Sequence, residues 1–424
     1  MTRWTRKVFL CASLVGMMAS LIGADLYRAQ AQPVTGLDAN PFLDLFPSLR
    51  TAPAPDWLQP GTRLTYYSIA GSIVGGKHRY IEDPQGNWRD PITGKHYRQE
   101  EVAGGGGGVS GHGYTQINIA LLNRAVALLD VRSYGITGTS GPPVILSQAG
   151  AVGLPGAGGD FWLNPSVLRG LAGINSTNLK IFLGPYQING RRYKAVWIHS
   201  GGATWVYDTN TGVLLHSGSE GHGADIQGPL ARGDSRQGAT FIGQNTLVDM
   251  RTTHLPWAFA GAPDWVARVR VLRYQGSAGV HVPGSPMFPT PISTTYERRD
   301  GGANWVRYRQ TVVQAAPSGL PPNTAQAELV FGPAQLGGLW IAPRALAQLR
   351  SGQILDADPV TRVTASVGRI GRIPSGRVAV TITESGAGEQ IDYAYDANSG
   401  MLLSVHTFNR VLNAEIQMSL VSAQ

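Results

Sequence analysis

The feature that most constrains this chain is that several of its phrases occur twice, in the same order. Pro55-Asp56-Trp57 returns as Pro263-Asp264-Trp265. Arg63-Leu64-Thr65-Tyr66-Tyr67 is answered by Arg270-Val271-Leu272-Arg273-Tyr274. Phe161-Trp162-Leu163-Asn164-Pro165 reappears as Leu339-Trp340-Ile341-Ala342-Pro343, and Leu168 and Leu171 keep their spacing as Leu346 and Leu349. The longest match pairs Trp205-Val206-Tyr207-Asp208-Thr209-Asn210-Thr211-Gly212-Val213-Leu214-Leu215 with Tyr393-Ala394-Tyr395-Asp396-Ala397-Asn398-Ser399-Gly400-Met401-Leu402-Leu403. Self-similarity kept in one order along a chain is the mark of a duplicated unit. Each block must then hold one complete copy of a fold, which excludes a single architecture running through all 424 residues.

The matched phrases predict their own local structure. Asp and Asn tolerate turn conformations and Gly supplies positive φ, so Asp208–Gly212 and Asp396–Gly400 read as β-hairpin turns. Trp205 and Tyr207 lie two apart and share a strand face, and Val213 and Leu215 do the same on the return. In the Trp162 phrase, Asn164 suits a helix N-cap and Pro165 the first helical position. Leu168 and Leu171 follow on one helical face, and Gly352 offers a stop after the twin helix. Lys194–His199, Ala239–Arg251, Arg377–Thr383 and Ala414–Val421 carry strand patterns. Ala120–Leu129 stays open between a helix and a buried strand pair, because Ala and Leu also form helices well. Each half therefore reads as a curved antiparallel sheet of roughly six to eight strands with one short packing helix.

The twin hairpin phrase resembles those of bacterial envelope proteins with a lipoprotein-carrier-like half-barrel, over about a dozen residues in each half. The expected fold is mainly β: two tandem homologous half-barrel-like domains. Their expected limits are 55–251 and 263–424, joined by a linker at 252–262. A Pro-rich leader at 32–54 holds an apolar island, Phe42-Leu43-Asp44-Leu45-Phe46, expected to dock on the body.

Arg3, Arg6 and Lys7 precede an apolar run from Val8 to Ala24, and Ala29-Gln30-Ala31 supplies a small-x-small cleavage site. That pattern predicts a signal peptide over 1–31 and a periplasmic or secreted protein. An uncleaved anchor stays open, since the run sits at the short edge of a membrane span. No later apolar run reaches spanning length, so no transmembrane segment is expected after signal removal. Cys11, the sole cysteine, lies inside the signal, so the remainder has no disulfide, thiolate metal site or cysteine nucleophile. Residues 1–31 carry four cations and one anion, so the rest of the chain is +5 rather than the full +8. Scattered over so long a chain, that charge forms no basic stripe, and nucleic acid is excluded as a partner.

What one copy of a duplicated scaffold has and the other lacks is where function is sought. The first half carries two insertions, at about 75–113 and 217–238. Both hold a Gly-His-Gly, at Gly111-His112-Gly113 and Gly221-His222-Gly223. His112, His222, Glu220 and Asp225 are the candidate catalytic set, as general acid and base. His112 and His222 are the candidate metal ligands, and Zn²⁺ or a similar borderline cation is the ion they would suit. The spacing matches no established metal motif, and solvent loops explain it as well. Trp162, Trp205 and Trp340 hold repeat positions and are assigned to the core. His199 and His254 read as structural histidines, whereas His216 stands where the twin has Ser404 and is not needed by the scaffold.

No catalytic signature such as a G-x-S-x-G elbow is present, so binding is favoured over catalysis. The expected partner is a hydrophobic or amphipathic small molecule, such as a lipid, or an envelope protein. A hydrolase built on the two insertions and a structural or assembly module of the envelope are the alternatives.

Overall fold

The computed structural model describes residues 41–74, 81–82, 88–89, 96–97, 108–136, 141–176, 179–200, 203–222, 239–281, 289–315, 322–373 and 376–424. The first sheet is built from β1 (Thr62–Val74), β2 (Gly108–Leu122), β3 (Ala127–Ile136), β4 (Pro143–Gly153), β5 (Lys180–Ile188), β6 (Arg191–Ser200), β7 (Ala203–Asp208), β8 (Leu214–His222) and β9 (Ala239–Thr252). Its nine strands run in the order β5-β6-β7-β8-β9-β1-β2-β3-β4. The second comprises β10 (Val271–Val280), β11 (Thr290–Gly302), β12 (Trp305–Gln314), β13 (Asn323–Phe331), β14 (Ile354–Ala357), β15 (Thr364–Arg372), β16 (Val378–Ser385), β17 (Glu389–Asp396), β18 (Leu402–Asn409) and β19 (Ala414–Ala423). Its ten strands run β13-β12-β11-β10-β19-β18-β17-β16-β15-β14. The chain is mainly β in two antiparallel sheets, each larger than the six to eight strands expected. The Ala120–Leu129 ambiguity resolves as a strand pair, because β2 and β3 pair along their length and Asn123 Oδ1 caps the turn at Ala125 and Val126.

Matched phrases make matched contacts. Gly212 and Gly400 sit at φ of 73° and 70°. A Cβ there would stand 1.9 Å from Leu163 O and 2.0 Å from Ile341 O, so each turn is pressed against its Trp phrase. The Trp57 indole donates to Thr211 O at 2.7 Å, and that of Trp265 to Ser399 O at 2.9 Å. Tyr66 and Tyr274 donate to Leu214 O and Leu402 O. The β-bulges recur too, at Thr65/Tyr66 and Arg273/Tyr274, and at Val206/Tyr207 and Ala394/Tyr395.

Asn164 caps the helix Pro165–Leu171 (α2), its side chain accepting from the backbone of Ser166 and Val167. The counterpart, Pro343–Leu346 (α3), is shorter. Ala342 stands at its N-cap and offers no side-chain acceptor. Leu349 is still buried, on the turn beyond it, and Gly352 follows at φ 82°.

Each core is filled by its own side chains. Trp162 lies at the centre of the first core and Trp340 of the second, both essentially without exposure. The leader island docks as expected. Pro41–Leu45 (α1) buries Phe42 and Leu43, and Phe46 and Leu49 follow them inside. The Phe42 ring meets Trp205 and Tyr207 edge-on at 5.5 and 6.0 Å. The linker is likewise packed: Leu255, Trp257 and Ala258 belong to the second core, while Phe259 is exposed.

The halves meet over a polar and close-packed junction. Arg63 Nη1 donates to Asp356 and Asp358 at 2.7 and 2.9 Å, and Arg251 binds the same two carboxylates. Gln116 Nε2 reaches Asp358 at 2.8 Å. Burial opposes ionisation of Asp358, but the Thr361 N–H, Arg63 and Arg251 outweigh it and hold its carboxyl at about 2. Arg132 Nη1 binds Glu384, which also accepts from the Tyr393 hydroxyl. Gly150 lets β4 approach β13, where a Cβ would stand 2.2 Å from Val330 N.

Candidate functional site

The strand register decides which side chains share a face. Gly108–Gly113 is strand, continuing β2 against β1, with His112 opposite Ile69. Ser217–His222 is strand as well, continuing β8 against β9, with Glu220 opposite Ile242 and His222 opposite Thr240. By register His112 corresponds to Pro291 of the second sheet, so it stands on a strand position that both halves have. Ser217–Gly221 correspond to Val405–Asn409 in the same way. The first expected insertion therefore ends, and the second begins, inside a strand, because ladder pairing continues where sequence similarity has faded.

β9 and β1 lie between the strands of His222 and His112. Three strand spacings, about 14 Å across a flat sheet, separate their backbones. Asp225 lies outside the described residues, as do the signal segment and most of both insertions. Among the described residues no group of three or more His, Cys, Asp and Glu is placed to hold a metal ion.

His112 instead falls on a stripe of rings crossing one face of the first sheet, whose Tyr186 and Trp197 also pack against the first core. On the edge hairpin β5–β6 the rings of Phe182 and Trp197 are 5.9 Å apart and nearly parallel at 5°. His199 lies within 6.0 Å of both, tilted by less than 20°. Tyr186 meets Trp197 edge-on and lies over His216 at 5.9 Å. His216 Nδ1 bonds the Thr246 hydroxyl, and Thr246 pairs with Tyr67. Tyr67 then contacts Tyr114 at 5.9 Å and His112 at 6.1 Å. Each of these rings is half-buried except Phe182, which is 44% exposed.

The second sheet has nothing similar at the matching positions. Register places Thr381, Thr383 and Ser404 opposite in role to Trp197, His199 and His216. Gln275, Ser293 and Pro291 correspond to Tyr67, Tyr114 and His112. Six ring-bearing positions thus have six non-aromatic twins on the same scaffold. The core aromatics, in contrast, are kept: Trp162 with Trp340 and Tyr207 with Tyr395.

Burial disfavours the charged form of two of the stripe's imidazoles. Burial pushes the His199 imidazole below its ordinary value, with Lys180 adding to the effect. Burial does the same to His216. His199 Nδ1 shares a proton with the Thr204 hydroxyl at 2.8 Å, and the Trp197 indole nitrogen is buried with no hydrogen-bond partner among the described residues. Rings with a few hydrogen-bonding tips suit apolar contact with limited polar recognition.

Two recesses lie elsewhere. The one between the halves, lined by Arg63, Gln116, Tyr134, Asp358 and Glu384, encloses about 10 Å³, room for a single water. The other, of about 210 Å³, is an open hollow beside Thr252–Leu255 and Phe259. Neither offers the enclosed apolar volume of an organic-ligand pocket. The sequence pointed to His216 through its Ser404 twin. Trp197 carried the same signal, a ring facing Thr381, but it shows only after the strands are aligned.

No protein-family model matches the chain, and no curated protein matches it by sequence. A solved structure, a DUF1329 family protein from Desulfovibrio piger, is similar over 38% of this chain and 88% of its own, at 7% identity and a TM-score of 0.16. So low a score carries no argument about fold or function.

Proposed function

We propose that the protein is an exported binding protein, made of two copies of one sheet domain, that holds an apolar or amphipathic small molecule on the ring stripe of its first half. The observation that carries this reading is the asymmetry between the sheets. A stripe needed for folding would persist in both copies, yet Trp197, His199, His216, Tyr67, Tyr114 and His112 are each replaced in the second. The packed cores support the same placement, since Trp162 and Trp340 fill the space a ligand would need inside either sheet. Half-buried rings in contact offer area at little entropic cost.

The test writes the twin's residues into the first half: Trp197→Thr, His199→Thr and His216→Ser together. The second sheet tolerates these side chains at matching positions, so the fold is expected to persist. Binding of the neutral fluorophore N-phenyl-1-naphthylamine is then measured by emission. Wild type is expected to bind and the triple variant to lose at least tenfold in affinity. Equal affinity of a folded variant refutes the placement.

A further inference from the structure

We infer that the β5–β6 edge hairpin is the surface by which the protein docks on an anionic lipid bilayer. From Phe161 to Tyr207 the chain has five basic residues, Arg169, Lys180, Arg191, Arg192 and Lys194, and no acidic one. All five are exposed, and none has a carboxylate partner among the described residues. Between them the hairpin exposes Phe182 and Leu183 at 44% and 47%, and the segment leading into it exposes Ile174 at 39%. Phe182 and Leu183 are consecutive on a strand, so they project from opposite faces and both sides of the edge are apolar. Aromatic and aliphatic side chains flanked by Lys and Arg match the headgroup boundary of an anionic membrane in both polarity and charge.

The edge is poorly suited to the other common partner, an added strand. β5 is the outermost strand of its sheet, but Pro185 removes a backbone donor from it and Lys180 places a charge at its start. The corresponding hairpin of the second sheet, β15–β16, is also basic and exposes Ile370 and Val378. It differs in having no ring, and Arg377 there lies 3.5 Å from Asp396. The docking surface overlaps the ligand stripe at Phe182, but Ile174, Leu183, Arg191 and Arg192 take no part in the ring contacts described.

The experiment is co-sedimentation of the protein lacking residues 1–31 with vesicles. One set is phosphatidylcholine alone and the other contains phosphatidylglycerol. Binding is expected to the anionic vesicles only, and to weaken as salt shortens the screening length. Arg191→Glu with Arg192→Glu is expected to weaken it by at least fivefold for each residue changed. Leu183→Ser with Ile174→Ser tests the apolar part and is expected to lower binding about tenfold. N-phenyl-1-naphthylamine binding by both variants is expected to match wild type, which separates this surface from the stripe. Arg369→Glu with Arg372→Glu, on the other hairpin, is expected to leave most vesicle binding in place. Equal binding to both vesicle types overturns the inference, as does wild-type binding by both β5–β6 variants. Loss of binding only on the Arg369/Arg372 change overturns it too, by assigning the contact to the second sheet.

Discussion

Glu389 is buried where the two halves meet, and its ionisation is expected to loosen the fold as pH rises. Its carboxyl accepts from the Ile145 N–H at 2.7 Å, across the junction. Burial pushes its pKa from 4.5 up to about 7, helped by the neighbouring Glu384 charge and opposed by the Ile145 N–H and by Arg132. The folded state therefore keeps a proton that the unfolded chain releases. Stability from this group is fully present below pH 4.5 and is lost as pH rises through 7. A shift of that size corresponds to about 3 kcal/mol, at 1.36 kcal/mol for each pKa unit. Glu389→Gln keeps an oxygen acceptor for Ile145 and removes the charge. Urea denaturation between pH 4.5 and 8 is the assay. The variant is expected to lose this part of the pH slope and to exceed wild type at pH 8 by up to about 3 kcal/mol. A variant less stable than wild type at pH 8, with the slope unchanged, would refute the reasoning.

Asp358 behaves in the opposite sense. Its carboxyl is held at about 2 against an ordinary 3.8, so its contribution is present above pH 3.8 and is lost as pH falls through 2. Asp358→Asn is expected to flatten the acid limb of the stability curve, read by acid titration of tryptophan emission. Arg63→Ala leaves Asp356 and Asp358 buried with one cation fewer, and a loss of about 3–5 kcal/mol is expected in denaturant unfolding. Gly212→Ala and Gly400→Ala each force a Cβ into a backbone oxygen at positive φ, so both are expected to lower the melting temperature by comparable amounts. A harmless change at one site and a severe one at the other would contradict the matched turns. Phe42→Ala is expected to cost about 3–5 kcal/mol, because the ring is fully buried against Trp205 and Tyr207.

The sequence alone determined the local units and their count. The Asp-to-Gly turns, the Asn164 cap, the β-branched strands and the apolar leader depend on neighbours within a few residues, so their spacing announces them. The order of repeated phrases likewise predicted two sheets rather than one. Tertiary structure decided everything that depends on register. Trp197, His216, Tyr67 and His112 share a face only because β6, β8, β1 and β2 pair as they do. A one-residue slip of any strand would turn its ring to the other side. The Arg63 contacts with Asp356 and Asp358 span nearly 300 positions of sequence, and no local pattern foretells such a pair. His112 is the clearest case. Its Gly-His-Gly setting suggested an uncrowded loop, yet backbone hydrogen bonds to β1 draw it into the sheet. Pairing across strands, which satisfies the backbone regardless of side chain, outweighed the local preference of glycine for a turn.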